Sequence, residues 1–290
     1  MGGEEWRHFT ASTGFPSQRL AVGTSGSPLK STYQAAGRLS IVSAHVADQR
    51  RTKCKRYCWN KATTTEVTAM GGMIPLSDAS RQTRAVPFVT VAIIFLNFAA
   101  FGLELAGGEA FVKQWSMIPA DIAQGHHWIT IITAMFLHAG WLHIIGNMLF
   151  LWAFGPAVED SMGPLRYMSF YLACGIAAFL AQIAMGPHST VPNVGASGAI
   201  AGVMGAFLIT YPSDRIKTLL FFGIIVRIRF IPAALLIGLW FLIQLFSQRG
   251  VVANADTGGV AYAAHVGGFI FGLVFARAFE HNRDTSGQEA

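Results

Sequence analysis

The segment GASGAIAGVMGA, residues 195–206, decides how this chain folds. It is apolar, yet it opens on Ser197 and spaces Gly195, Gly198, Gly202 and Gly205 along its length. Small-residue faces of this kind let two helix backbones approach closely inside a bilayer. A matching face recurs later, where Ala264, Gly268 and Gly272 fall every four residues beside His265. A hydroxyl needs a nearby base to become a nucleophile, and both side chains cost free energy where they are dehydrated. Taken alone, Ser197 reads as a helix cap or a bond to the backbone one turn back, His265 as an interhelical polar contact, and the glycines as packing. Together, on two spans that can touch, they point to peptide-bond hydrolysis within a membrane.

The composition agrees. The chain has 290 residues, 52% hydrophobic and only 12% charged, where a soluble domain carries about 25%. The net charge of +6 resides entirely in residues 1–72, because 73–290 carry equal numbers of acids and bases. The basic balance therefore does not indicate nucleic acid, and the leader shows no nucleic-acid-reading module. Residues 1–72 are rich in Ser, Thr, Gly and Arg without an apolar period, which predicts a disordered basic leader. No secretory signal is recognisable there. Two alternatives stay open: an organellar transit peptide, against which Glu4 and Glu5 argue, or sequence upstream of a start at Met70 or Met73. Cys54 and Cys58 lack the further ligands of a zinc site, Cys174 reads as core packing, and neither metal nor cofactor is expected.

Membrane helices need about 17–25 apolar residues. Such windows lie near 86–106, 141–158, 166–186, 196–212, 231–247 and 261–279, predicting an all-α bundle of six transmembrane helices. The stretch 107–140 is long for a loop but apolar, with Trp115 and Trp128 suited to the interface, and is expected to lie partly in the membrane. The stretch 218–230 carries Arg227 and Arg229 and reads as an interfacial or extended link. With the first helix starting inside, nine Lys/Arg fall on the inner side and only Lys113 and Arg249 outside. Both termini are thus expected to face the cytoplasm, or the matrix of an organelle. In that topology His143, Asn147, Ser197 and His265 all lie in the first turns of helices entering from outside. His143 and Asn147, four apart, share one helix face.

Gly195-Ala196-Ser197-Gly198, His143-x3-Asn147 and Ala264-His265-Val266-Gly267-Gly268, with the flank FLHAGWLHIIGNMLFLWAFG (136–155), resemble the signature of the rhomboid intramembrane serine proteases. The resemblance covers about residues 73–279. It implies a six-helix rhomboid-like bundle over 73–280, a membrane-associated first loop and a short polar tail over 281–290. It implies Ser197 as nucleophile and His265 as general base, a dyad without an acidic third member. The oxyanion would be held by backbone N–H groups around Ala196 and Ser197 with the side chains of His143 and Asn147, and Gly195, Gly198, His138 and Gly268 would support the site. Implied partners are the lipid bilayer and transmembrane proteins whose helices unwind for cleavage; no nucleic acid and no metal is implied. The expected location is a bacterial inner membrane.

Two departures stand out. Many members carry a Trp-Arg pair in the first loop, where this chain reads Trp128-Ile129-Thr130. Some carry a Tyr four residues after the nucleophile, stacked on the histidine; here it is Ala201, which leaves Phe269 or Tyr262 to orient His265. Other polar residues read as structural: His138 holds the first loop to the second span, His126 and His127 are interfacial, and Glu104, Glu159 and Asp160 mark helix ends. Trp240 and Phe241 line a lateral entrance or face lipid. A catalytically silent client-binding relative would have lost Ser197 or His265, and a transporter would show two repeated halves with broken helices. The chain does neither.

Overall fold

The computed structural model describes residues 73–281 other than 82, 84, 223–224 and 253–260. The readings made for the leader, for Cys54 and Cys58, and for 282–290 lie outside the described residues. In chain order the elements are β1 (Met73–Asp78), α1 (Phe88–Trp115), α2 (Pro119–Ala123), α3 (Thr130–Thr133), a 3-10 turn (Ala134–Phe136), α4 (Trp141–Met162), α5 (Pro164–Met185), α6 (Ser197–Thr210), β2 (Arg215–Phe222), β3 (Ile225–Pro232), α7 (Ala233–Val252) and α8 (Tyr262–Phe279).

Each of the six apolar windows is mostly helical. α1, α4, α5 and α8 are long and apolar enough to cross a bilayer, whereas α6 and the apolar part of α7, Ala233–Phe246, are shorter. α1 outruns its predicted span and continues to Trp115 through a break at Gly108, whose φ of 62° suits a residue without Cβ. Much of the predicted first loop is therefore helix.

The expectation of an all-α protein is corrected by a three-stranded antiparallel sheet of order β1-β2-β3. Within the stretch 218–230, residues 218–222 and 225–230 are extended, in two strands that pair antiparallel, and β1 adds to β2 as a third. Alternation in IVRIRFIP suits a strand, because successive side chains take opposite faces. Ile216 and Thr218 of the inner row are fully buried, while Val226, Ile228 and Phe230 are exposed.

Glu159 is more than a helix-end residue. Its carboxylate, buried on α4, accepts the Val89 and Thr90 amides at 2.8 Å each and the Thr90 hydroxyl at 2.7 Å. The first turn of α1 has no acceptors of its own for these amides, so α4 caps α1 from outside. Hydrogen bonds to a charged group contribute about 1.5–3 kcal/mol each. Glu159→Ala is therefore expected to destabilise the protein by about 3–5 kcal/mol and Glu159→Gln by less, read as thermal denaturation in detergent micelles.

Around this frame the core is packed with Phe154, Tyr167, Phe170, Tyr171, Met204 and Phe207, all fully buried, and Cys174 lies among them. The most extensive interhelical packing joins α6 to α8. A Cβ at Gly268 would overlap the Gly198 carbonyl oxygen, and one at Gly272 the Gly202 carbonyl oxygen. Backbone meets backbone along this seam. His281 continues the order beyond α8, its amide donating to Ser161 O at 3.1 Å and its ring meeting Met162 O at 3.0 Å.

Candidate active site

The site grows from the turn that precedes α6. Asn193 exchanges both backbone hydrogen bonds with Met117, at 2.8 and 3.0 Å, and the Gly195 amide donates to Ala134 O at 2.9 Å. The segment 117–136 thus holds the approach to α6 in place. Gly195 has a φ of 132°, a conformation L side chains rarely adopt, and a Cβ there would lie 3.0 Å from His143 Cε1. Ser197 follows as the first residue of α6, with Ala196 at the N-cap position. The first amides of α6 have no acceptor within their own helix, and the positive end of the helix dipole lies there.

α8 brings the histidine. The Ala264 amide in its first turn donates to Gln182 Oε1 of α5 at 3.3 Å. One residue on, His265 Nε2 stands 2.7 Å from Ser197 Oγ. Its other nitrogen, Nδ1, stands 2.7 Å from Gln244 Oε1 of α7. Since an amide oxygen only accepts, Nδ1 carries the proton and Nε2 presents its lone pair to the serine hydroxyl. Trp240 and Tyr262 flank the ring, with centroids 5.9 and 6.4 Å away. Of the two residues left to orient His265, Tyr262 is beside the ring and Phe269 stacks on Phe241. Trp240 is mostly buried and faces α8 rather than lipid.

α4 closes another side. His143 and Asn147 are both buried, one turn apart. The Ala139 amide donates to His143 Nδ1 at 3.2 Å, which in the neutral ring puts the proton on Nε2. That nitrogen is 3.1 Å from where a Gly195 Cβ would stand, and Ser197 Oγ is 3.5 Å from the same point. Asn147 Nδ2 is a buried donor without a hydrogen-bond partner among the described residues. His138 meets the His143 ring edge-on at 5.1 Å. Burial, and secondarily His143 alongside, push the His138 imidazole down to about 3, so it is neutral at pH 7. The His138 amide donates to Glu104 Oε1 at 2.9 Å, so Glu104 ties α1 to this loop and does not merely mark a helix end.

The structure therefore brings together Ser197, His265, His143, Gly195, Gly198 and Gly268, with Asn147 one turn along α4 and His138 behind His143. His126, His127 and Trp128 stay exposed at the surface. Among the described residues no group of three or more His, Cys, Asp or Glu is placed to hold a metal ion. Sequence reasoning missed Gln244. Its signal was an amide on an otherwise apolar span, four residues after Trp240 and so on the same face.

These features define a multi-pass membrane protein in which a serine and a histidine from two helices share a hydrogen bond. The chain belongs to the rhomboid family: the rhomboid domain model matches residues 125–281, more than half its length. Rhomboid protease GluP of Bacillus subtilis is 34% identical over 195 residues, covering 66% of this chain and 34% of GluP. Rhomboid protein 1, mitochondrial, of Saccharomyces cerevisiae is 28% identical over 210 residues, covering 69% of this chain and 56% of that protein. Rhomboid-like protein 11, chloroplastic, of Arabidopsis thaliana is 40% identical over 76 residues, covering 26% of this chain and 27% of that one. The chain thus spans from about a quarter to just over half of the length of these relatives.

Proposed function

We propose that this protein is an intramembrane serine endopeptidase that cuts transmembrane-protein substrates through Ser197 and His265. The observation that carries the reading is the 2.7 Å approach of His265 Nε2 to Ser197 Oγ, with Nδ1 already committed to Gln244. As Ser197 Oγ attacks the scissile carbonyl carbon, His265 Nε2 takes the hydroxyl proton. The tetrahedral oxyanion is held by the amides at Ala196 and Ser197 and by the His143 Nε2–H and Asn147 Nδ2–H donors. Collapse breaks the C–N bond, and the imidazolium protonates the leaving amine. Water then attacks the acyl ester, gives its proton to His265 and releases the carboxylic acid together with the Ser197 hydroxyl.

The membrane domain occupies 73–280, with 1–72 as a basic leader and 281–290 as a polar tail. α1, α4, α5, α6, α7 and α8 are the six spans, and the exposed pair Trp128 and Ile129 supports a first loop dipping into the bilayer. The nine-to-two excess of inner cations supports cytoplasmic termini. The 34% identity to Bacillus subtilis GluP, carried over 195 residues, supports a bacterial cell membrane.

The test is cleavage of a model single-span substrate in liposomes by the wild type and by site variants. Equal rates for the wild type and Ser197→Ala would end this reading. Removing one oxyanion donor costs about 10²–10³ in rate. His143→Ala and Asn147→Ala are each expected to slow cleavage by about that factor without abolishing it, whereas unchanged rates would remove them from the oxyanion site.

A further inference from the structure

We propose that Gln244 is the third member of the catalytic constellation, a positioning residue that locks His265 in its base-competent tautomer. The proposal rests on the Ser197–His265 reading given above. Neutral imidazole has two tautomers, and only the one protonated on Nδ1 leaves Nε2 free to accept a proton. Without a partner for Nδ1 the ring would divide between the two forms and could turn away from Ser197. The Gln244 carbonyl, 2.7 Å from Nδ1, removes both freedoms. Gln244 is itself buried, as is His265, so the bond is sheltered from competing water.

The choice of an amide follows from the surroundings. A carboxylate at this point would hold the imidazolium more strongly, but it would be a charge in an apolar helix, and such charges are costly. An amide orients the ring without that cost. It also leaves the imidazole easier to keep neutral, and a general base must be neutral to act. Among the described residues, Tyr262 on its own helix, Ser197 from α6, and Trp240 and Gln244 from α7 face His265, with Gln182 of α5 against the neighbouring amide. None of these groups carries a charge at neutral pH. An added carboxylate at position 244, in hydrogen-bond reach of Nδ1, would favour the imidazolium form.

The experiment uses the full chain in detergent micelles, with three variants: Gln244→Leu, Gln244→Glu and His265→Ala. First, ¹⁵N spectra of histidine-labelled protein, with His265→Ala to assign the ring, read the tautomer directly. The wild type is expected to show a protonated Nδ1 and a bare Nε2, and Gln244→Leu a mixture. Second, Gln244→Leu is expected to lower kcat about 10- to 100-fold at unchanged KM. Third, Gln244→Glu, nearly isosteric and so a safeguard should the leucine variant not fold, is expected to raise the midpoint of the acid limb of the pH–rate profile by about one unit or more. A wild-type tautomer in Gln244→Leu, wild-type kcat in that variant, or an unmoved acid limb in Gln244→Glu would each overturn the proposal. A fixed tautomer in a wild type that cuts nothing would instead retain the role of Gln244 and overturn the protease reading.

Discussion

Ser197→Ala and His265→Ala are each expected to bring cleavage of a transmembrane substrate down to background, a loss of about 10⁴-fold or more. Alanine at 197 removes the oxygen that would carry the acyl group, so no covalent intermediate can form. Alanine at 265 removes the imidazole nitrogen that stands 2.7 Å from the Ser197 hydroxyl, and Gln244, which held that imidazole, is a poor base at neutral pH. The two residues act as a unit, so the double variant should lose no more than either single one. Ser197→Ala is the cleaner probe, because a small residue replaces a small one at a helix start and folding should be preserved. Reactivity of Ser197 toward a fluorophosphonate, read on intact protein, gives a second measure independent of substrate. Either single variant cutting at the wild-type rate would dismantle the assignment.

The second large effect is expected away from the chemistry. Gly272 lies one turn beyond Gly268 on α8 and touches no proposed catalytic atom, yet any Cβ there would overlap the Gly202 carbonyl oxygen of α6. That neighbour is backbone within a helix and cannot move as a side-chain end can. Gly272→Leu must push α8 away from α6, and with it His265 from Ser197. Misplacing reacting groups by about 1 Å costs about 10²-fold, and overpacking a core costs about 1–3 kcal/mol or more. Gly272→Leu is therefore expected to lose at least about 100-fold in cleavage along with a lowered melting temperature. Gly146 on α4 is the control, since a Cβ there meets nothing within 4 Å, and Gly146→Ala should leave both measurements unchanged. Wild-type cleavage by Gly272→Leu would show that the seam does not set the spacing of the dyad.

The six helical segments were legible because each is a continuous apolar run long enough to declare itself without knowledge of its neighbours. The meeting of Ser197 and His265 was legible for a related reason: each sits on a helix face of small residues, and two such faces can close only on each other. The sheet was not. β1 is six residues long and finds its partner in β2 far along the chain, a pairing that no local pattern announces. The role of Glu159 was hidden likewise, because a carboxylate near the end of α4 does not reveal that the free amides of α1 lie against it.

Composition and local spacing were thus sufficient for the membrane class, the helical segments and the pair of residues proposed for the chemistry, since hydropathy and helical period are written residue by residue. The partner of His265 Nδ1 was settled by packing alone. Phe269 and Tyr262 were the candidates nearest in sequence, but α7 folds over the ring and delivers Gln244 from a different helix. Long-range contacts of this kind depend on how helices lie against one another in space, and a linear pattern carries no record of that.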